Sequence, residues 1–397
     1  MSRPLPPSQS RASRPDAAEH WFLAHGLPAV IRRSALVSRI WSRSVPALVA
    51  LAVVAANSIA VVALSGSHTI DIAGRPDLPE GIVLALTVVL LPIAAFLGWL
   101  AARTDSVSGR VAIGALATGV IALGAIFGGP SPRISGNLVL FSTLIGIILC
   151  LTATGLGSIL GWVGKTMLAN AASTTAMFVR ALPVVLLTFL VFFNTHVWLM
   201  TSLISRARLW AGMIFLFLIS ASFLVATTLD QVRPLLADPG TVPVAVPDDP
   251  DPLAGTPFAE MPDGSDPDPL SIGERVNIVF AMAAAQLLHV LTVAMMTGMV
   301  FLVLGLILVS PEVLDAWTRG AGRRTGEFLG MTLPIPDSLI QTTMLLGALT
   351  FMYVSAKAVT DTQYRAQFVE PMLDSVRVTL LARNRYRAVR PRRSPIT

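Results

Sequence analysis

Two histidines lie within long apolar stretches of the sequence, and each has polar neighbours close by. His196 follows Asn194 by two residues, and His289 follows Gln286 by three, which places the second pair on one face of a helix. Histidine changes charge near neutral pH, and polar groups in apolar surroundings are costly. The pattern predicts that Asn194, His196, Gln286 and His289 line one polar cavity that relays protons or binds a ligand. The competing interpretation, which isolated histidines of this kind favour, is a neutral imidazole bonded to a neighbouring helix.

A ladder of charges ends the last apolar stretch. Lys357, Asp361 and Arg365 are four residues apart, so they occupy one face of a helix, and aspartate ahead of arginine is the favourable order. Tyr353 and Tyr364 flank this ladder at the depth of lipid headgroups. The ladder is either a gate or docking surface at the cytoplasmic mouth of the protein, or a helix end whose long charged side chains reach out of the bilayer.

The sequence contains no arrangement that predicts catalysis. Five histidines are scattered along the chain with a single cysteine, Cys150, and the zinc motif His-Glu-x-x-His is absent. We therefore predict no catalytic residues, no metal ion and no cofactor, and a non-enzymatic role is favoured.

The elements that must position these residues follow from the composition. The 397 residues are 54% hydrophobic and 13% charged, with a mean hydropathy of +0.70, whereas globular domains carry about 25% charged residues. This excludes a soluble enzyme, a disordered tail and a disulfide scaffold. A bilayer span needs about 20 apolar residues. The sequence predicts an all-α polytopic transmembrane bundle of about eight spans, with seven or nine as alternatives, near 45–65, 81–102, 111–129, 137–162, 181–204, 209–229, 276–309 and 338–360.

Two of these segments, 137–162 and 276–309, are longer than a bilayer requires. They must tilt, extend beyond the bilayer or contain a break. Two pairs of glycines spaced four apart, Gly124 with Gly128 and Gly157 with Gly161, predict close approach of neighbouring helices.

The distribution of basic residues orients the chain. A net charge of +6 would suggest nucleic acid in a soluble domain. Here the arginines lie outside the apolar segments, seven of them before Val45, while the connection 66–80 is acidic. By the positive-inside rule both termini are cytoplasmic in a cell (inner or plasma) membrane, and no nucleic-acid partner is expected. Arg206 and Arg208 are exceptions on the predicted outer side.

Proline and acidic residues divide the chain. Ten prolines lie between Pro234 and Pro269, and nine acidic residues lie between Asp238 and Glu274, a composition that cannot form a core. The predicted organisation is a basic leader with an interfacial amphipathic segment at 1–43, six spans at 44–229, an acidic disordered linker at 230–273, two spans at 274–361 and a basic amphipathic tail at 362–397. We expect leader and tail to contact anionic lipid headgroups, with the linker as a rival partner for the tail.

Several short segments together resemble a known family. They are His20-Trp21-Phe22-Leu23 with Gly26-Leu27-Pro28, then Arg180-Ala181-Leu182-Pro183, then Ala358-Val359-Thr360-Asp361 with Tyr364 and Arg365. These are similar to segments of an actinobacterial family of integral membrane proteins. The resemblance implies a location in the inner membrane of an actinobacterium and implies no activity.

Three classes of function remain open at this point. The first is a non-enzymatic membrane component of envelope assembly or signalling, which would work with a protein partner or a second copy of the chain. The second is a small-molecule or ion transporter or channel that uses the polar residues of the fifth and seventh spans. The third is an intramembrane enzyme acting on lipid. The sequence slightly favours the first.

Overall fold

The computed structural model of the chain describes residues 13–31, 36–37, 40–72, 76–104, 106–169, 189–237, 251–262, 269–321, 324–328, 331–360 and 362–389. Within them the protein is a bundle of helices. The helices are α1 (Ser13–Ala24), α2 (Ile40–Ser65), α3 (Leu78–Ala102), α4 (Val107–Phe127), α5 (Ile134–Thr154), α6 (Leu156–Ala169), α7 (Thr195–Leu203), α8 (Arg206–Ala237), α9 (Ile272–Leu308), α10 (Pro311–Thr318), α11 (Asp337–Thr360) and α12 (Glu370–Ala388). The helical part also includes a 3-10 turn at Pro28–Val30, a short α-helical turn at Thr362–Tyr364 and a π-turn at Arg365–Val369.

Seven helices of the described residues are long and apolar enough to cross a membrane. They are α2, α3, α4, α5, α8, α9 and α11, and they confirm seven of the eight predicted spans and the all-α polytopic class. Each is long enough because about 20 residues at 1.5 Å per residue cover the hydrocarbon thickness.

The long fourth predicted span contains a break. Helix α5 ends at Thr154, and Gly155 adopts a left-handed conformation with φ of 80° before α6 begins. A Cβ atom at Gly155 would lie 2.5 Å from Cβ of Pro28, so both the backbone angle and the contact require glycine here. The prediction that this segment could contain a break is confirmed.

The predicted span at 181–204 is not one continuous helix. Residues 181–188 lie outside the described part of the chain, and residues 189–192 are helical. The helix stops before Asn194, whose side chain accepts a hydrogen bond from the amide of His196 at 3.0 Å and starts α7. The prediction was wrong here because asparagine is a strong helix N-cap, and Asn194 divides a run whose other residues are mostly apolar.

Both described ends of the chain lie at the same end of the bundle, which we call the termini end. The rings of Phe22 in α1 and Tyr386 in α12 are 5.4 Å apart. Gly155 contacts Pro28 at this end, and Asn277 of α9 bonds the nearby Gly26. Phe192 packs against Phe301 of α9. Phe301 lies 24 residues beyond Asn277, which is about 36 Å along the helix. Gly155 and Phe192 therefore lie at opposite ends of the bundle.

A small sheet closes the opposite end of the bundle, which we call the far end. Strands β1 (Thr325–Phe328) and β2 (Met331–Pro336) form an antiparallel hairpin. Thr332 of β2 also exchanges backbone hydrogen bonds with Ile70 and Ile72 of the connection between α2 and α3, at 2.9 and 3.1 Å. The sequence did not predict strands here. Their effect is to tie the six-span region to the two-span region.

Part of the predicted disordered linker is folded. Helix α8 continues to Ala237, and residues 251–262 form turns whose Leu253 and Phe258 side chains are fully buried. The prediction of a disordered linker is therefore wrong for 251–262, because two apolar side chains anchor the segment in the core. Residues 238–250 and 263–268 of the linker lie outside the described residues.

The predicted basic tail is also part of the core. One face of α12, with Met372, Val376, Leu380 and Tyr386, is buried in the largest hydrophobic cluster of the described residues. The amphipathic character predicted from the sequence is present, but the apolar face packs on protein.

Candidate functional site

The two chain ends, the folded part of the linker and the first turns of α9 pack into one assembly at the termini end. We call α1, residues 251–262, α12 and residues 269–278 the terminal cluster. Its centre is aromatic, because Phe22 and Tyr386 both contact Phe258, at ring distances of 5.1 and 6.3 Å. Asn277 donates a hydrogen bond to the carbonyl oxygen of Gly26 at 2.9 Å, which joins α9 to the loop after α1.

A buried carboxylate organises this assembly. Glu274 closes a capping box with Ser271 at the start of α9, which is why its side chain is held in place. Arg383 of α12 donates to both carboxylate oxygens of Glu274, at 2.9 and 3.1 Å, and Arg387 adds a third contact at 2.9 Å. The side chains of Glu274 and Arg383 are both fully buried. Two guanidinium groups therefore share one carboxylate inside the protein.

A second ion pair attaches the linker segment to α12. Arg385 donates to Asp251 at 2.8 Å and to the carbonyl oxygen of Phe258 at 3.3 Å. The amide of Leu253 donates to the other Asp251 oxygen at 3.1 Å. The hydrogen bond from Arg385 is the main reason that the pKa of the Asp251 carboxyl lies below its usual value, and the bond from the Leu253 amide adds to the effect. Contact between the linker and the tail was foreseen from their opposite charges, but these residues were not.

His25 is a further titratable group of this end that the sequence did not single out. Its imidazole stacks on Trp21 at 3.7 Å, and its Nδ1 atom lies 2.8 Å from the Trp21 carbonyl oxygen. Burial lowers the pKa of His25. Burial therefore favours the neutral form of this imidazole, which packs against α1.

The predicted residues Gln286 and His289 lie together inside the bundle. His289 is almost fully buried, with its ring 4.1 Å from Phe368 and 5.9 Å from Tyr364. The amide nitrogen of Gln286 lies 3.4 Å from the side-chain oxygen of Gln231 in α8. Both side chains are therefore enclosed by neighbouring elements, as in the neutral, packed interpretation.

The other predicted pair lies elsewhere. Asn194 and His196 are exposed at the start of α7, near the far end. The neighbouring Phe192 packs on Phe301, which lies 12 residues and therefore about 18 Å along α9 from His289. The structure does not bring the two histidines to one cavity.

The charge ladder is placed only in part. Lys357 lies in the last turn of α11 and Arg365 begins the π-turn, while Asp361 lies outside the described residues. Tyr364, predicted to flank the ladder at headgroup depth, is buried against His289 and Phe368.

Arg206, an exception to the orientation rule, has a partner. It forms an ion pair with Asp337 at the start of α11, and Gln341 donates to the same carboxylate at 2.7 Å. The charge of Arg206 on the predicted outer side is therefore compensated locally.

The comparisons with known proteins give no relative. No protein-family model matches the chain, and no curated protein or solved structure is similar to it. Among the described residues, no three histidine, cysteine or acidic side chains are grouped so that they could hold a metal ion. In the terminal cluster Glu274 and Asp251 are bonded to arginines of α12, so these contacts fix α12 to α9 and the linker segment to α12.

The contact between Asp251 and Arg385 should depend on pH. Because the pKa of Asp251 is depressed in the folded protein, its stabilisation is present above the unfolded pKa of about 3.9 and is lost as pH falls through the folded value. We expect residues 251–262 to loosen from α12 below about pH 4. Spin labels at the exposed positions Ala254 and Ala388, in a Cys150→Ala background, would report a broader distance distribution at pH 3 than at pH 7.

An Asp251→Asn variant is the control, since it removes the titrating group. Its distance distribution should already be broad at pH 7 and should change little on acidification. A wild-type distribution that stays narrow at pH 3 would exclude this ion pair as the attachment of the linker.

Proposed function

We propose that the chain is a non-enzymatic membrane component of envelope assembly or signalling that acts through the terminal cluster. In line with the family resemblance, we propose that it lies in the inner membrane of an actinobacterium with both termini cytoplasmic. The observation that carries the proposal is that both described chain ends and part of the acidic linker are fixed in one assembly: a buried ion pair joins α12 to α9, a second ion pair joins the linker segment to α12, and aromatic packing holds α1.

Fixed ends support this role because a docking surface needs a defined shape. Glu370, Asp374 and Arg377 are spaced four and three residues apart on the outer face of α12 and are not needed for its packing. Asp374 and Arg377 pair with each other, with side chains 64% and 41% exposed. These charged groups can bind a partner with little loss of folding stability, since an exposed ion pair contributes about 1 kcal/mol or less.

Transport through the predicted polar residues has less support. Gln286 and His289 are enclosed by the helices around them. His196 follows Phe192, which packs on Phe301, and Phe301 lies about 18 Å along α9 from His289. Within the described residues these side chains form no continuous polar row between the two ends of the bundle.

The proposal is tested by cross-linking in native membranes. A photo-reactive amino acid replaces Arg377 on the outer face of α12, and the control replaces Leu218, which is 59% exposed on the lipid-facing side of α8. We expect illumination to join position 377 to a protein partner and position 218 only to lipid. Gentle detergent extraction and mass spectrometry should then recover the same partner in stoichiometric amount.

Two outcomes would contradict the proposal. One is a protein that emerges alone with no cross-link at position 377. The other is a protein that carries one small polar molecule, because this would favour the transport interpretation.

A further inference from the structure

An apolar groove lies between α8, α9 and α11, in the membrane-spanning part of the bundle. Its volume is about 330 Å³, which is at the lower end of the usual range for ligand sites. The lining includes Trp210, Met213 and Phe217 from α8, Met295 and Gly298 from α9 and Met344 from α11. Methionine side chains are flexible and polarisable, so such a lining adapts to a chain of variable shape.

One end of the groove carries a cation. Arg206, Trp210, Met213 and Phe217 are spaced by four, three and four residues, so they form one stripe along α8. The Nη1 atom of Arg206 lies 3.5 Å from the sulfur of Met344, which lines the groove. The ion pair with Asp337 engages one of its five N–H groups, and about a quarter of each side chain remains exposed. The groove therefore combines an apolar channel with a guanidinium group at its far-end mouth.

The lining favours a flexible apolar chain over a protein helix. Every lining side chain except that of Thr343 is apolar, and an α-helix with its side chains is about 10 Å across. A hydrocarbon chain is narrower, and it is the solvent that surrounds a membrane-spanning bundle.

We propose that this groove binds one phospholipid from the leaflet at the far end. One acyl chain lies between α8, α9 and α11, and the lipid phosphate binds Arg206. Arginine suits this role because its planar fork donates two parallel hydrogen bonds to a phosphate and it is always charged. The site is separate from the terminal cluster and does not depend on the proposed function.

The test uses the purified, delipidated full-length protein and native mass spectrometry. The probes are phosphatidylglycerol, phosphatidylcholine and diacylglycerol with identical acyl chains. Gly298→Leu places a side chain in the groove, and the nearest atom to its Cβ would be the Thr343 carbonyl oxygen at 3.6 Å, an ordinary contact. Gly212→Leu is the matched control, because a Cβ at Gly212 meets nothing within 4 Å.

We expect the wild type and Gly212→Leu each to bind one phospholipid. Gly298→Leu should bind the same phospholipid at least tenfold more weakly. Diacylglycerol, which lacks the phosphate, should bind at least tenfold more weakly than either phospholipid. Equal phospholipid binding by all three proteins would overturn the proposal. A dimer that Gly298→Leu dissociates would overturn it as well, by showing that a second copy occupies the groove.

A double variant tests the phosphate contact independently of the groove-filling change. Arg206→Gln with Asp337→Asn removes both charges of the ion pair, so that neither is left alone. It should lose the preference for phospholipid over diacylglycerol while keeping the same thermal stability within a few degrees. An unchanged preference would exclude Arg206 as the phosphate ligand.

Discussion

Replacing Glu274 with alanine is expected to release α12 from the bundle. The substitution leaves Arg383 fully buried without its carboxylate and also removes the carboxylate that Arg387 contacts. Removing one member of a buried ion pair costs about 3–5 kcal/mol, because the remaining charge stays desolvated. We expect the terminal cluster to open, and amides of α12 to lose hydrogen-exchange protection, while the long helices stay protected.

The chain offers a matched control for this experiment. Asp374 and Arg377 form an ion pair on the same helix, but both side chains are exposed. Asp374→Ala should therefore change protection of α12 by about 1 kcal/mol or less. A double variant, Glu274→Leu with Arg383→Met, removes both buried charges and should recover most of the stability that Glu274→Ala loses.

Equal effects of Glu274→Ala and Asp374→Ala would contradict the buried ion pair. The same holds if the double variant is no more stable than Glu274→Ala, because the loss would then not arise from an unpaired guanidinium. Thermal unfolding in detergent and hydrogen exchange measured by mass spectrometry distinguish these outcomes.

Replacing Gly128 with alanine should separate α2 from the end of α4. A Cβ atom at this position would lie 2.8 Å from the backbone nitrogen of Ile59 and 2.9 Å from the carbonyl carbon of Ser58. Backbone atoms cannot move aside as a flexible side chain can, so the helices must shift. Overpacking of this kind costs about 1–3 kcal/mol. Lower thermal stability of the purified protein would record the change.

Gly161→Ala is the control, because it makes the same substitution in the other glycine pair. A Cβ at Gly161 meets nothing within 4 Å. Alanine is a better helix former than glycine by up to about 1 kcal/mol, so this variant should be as stable as the wild type or slightly more stable. If Gly128→Ala and Gly161→Ala behave alike, the close contact between α2 and α4 is not the reason for glycine at 128.

These glycine pairs show the limit of sequence patterns. Both pairs have the same spacing and predict close packing. The structure confirms this for Gly124 and Gly128, where a Cβ at Gly124 would lie 2.6 Å from that of Ala55. It does not confirm it for Gly157 and Gly161: a Cβ at Gly157 would make only ordinary contacts with the last turn of α5, the nearest being the Leu151 carbonyl oxygen at 3.5 Å, and a Cβ at Gly161 meets nothing within 4 Å among the described residues. Spacing describes one helix, whereas packing depends on which helix lies opposite.

The candidate site shows the same division. The Ser271–Glu274 capping box and the spacing of Arg383 and Arg387 are visible in the sequence. Their pairing is not, because 109 residues separate Arg383 from Glu274. His196 and His289 looked equivalent as polar residues in apolar runs, but one is exposed beside a helix cap and the other is enclosed by Phe368 and Tyr364.

The sequence by itself determined the class of protein, seven of its membrane-spanning segments and the placement of both described chain ends at one end of the bundle. Each of these properties depends on a short stretch of sequence. A segment inserts according to its own apolar length, and a connection is oriented by its own basic residues. Only the tertiary structure decided that residues 251–262 and the C-terminal helix are folded core, that Glu274 holds α12 to α9 and that Asp251 holds the linker segment to α12. Those outcomes depend on contacts between segments distant in the chain, and a buried charge is stable only where its partner is brought to it.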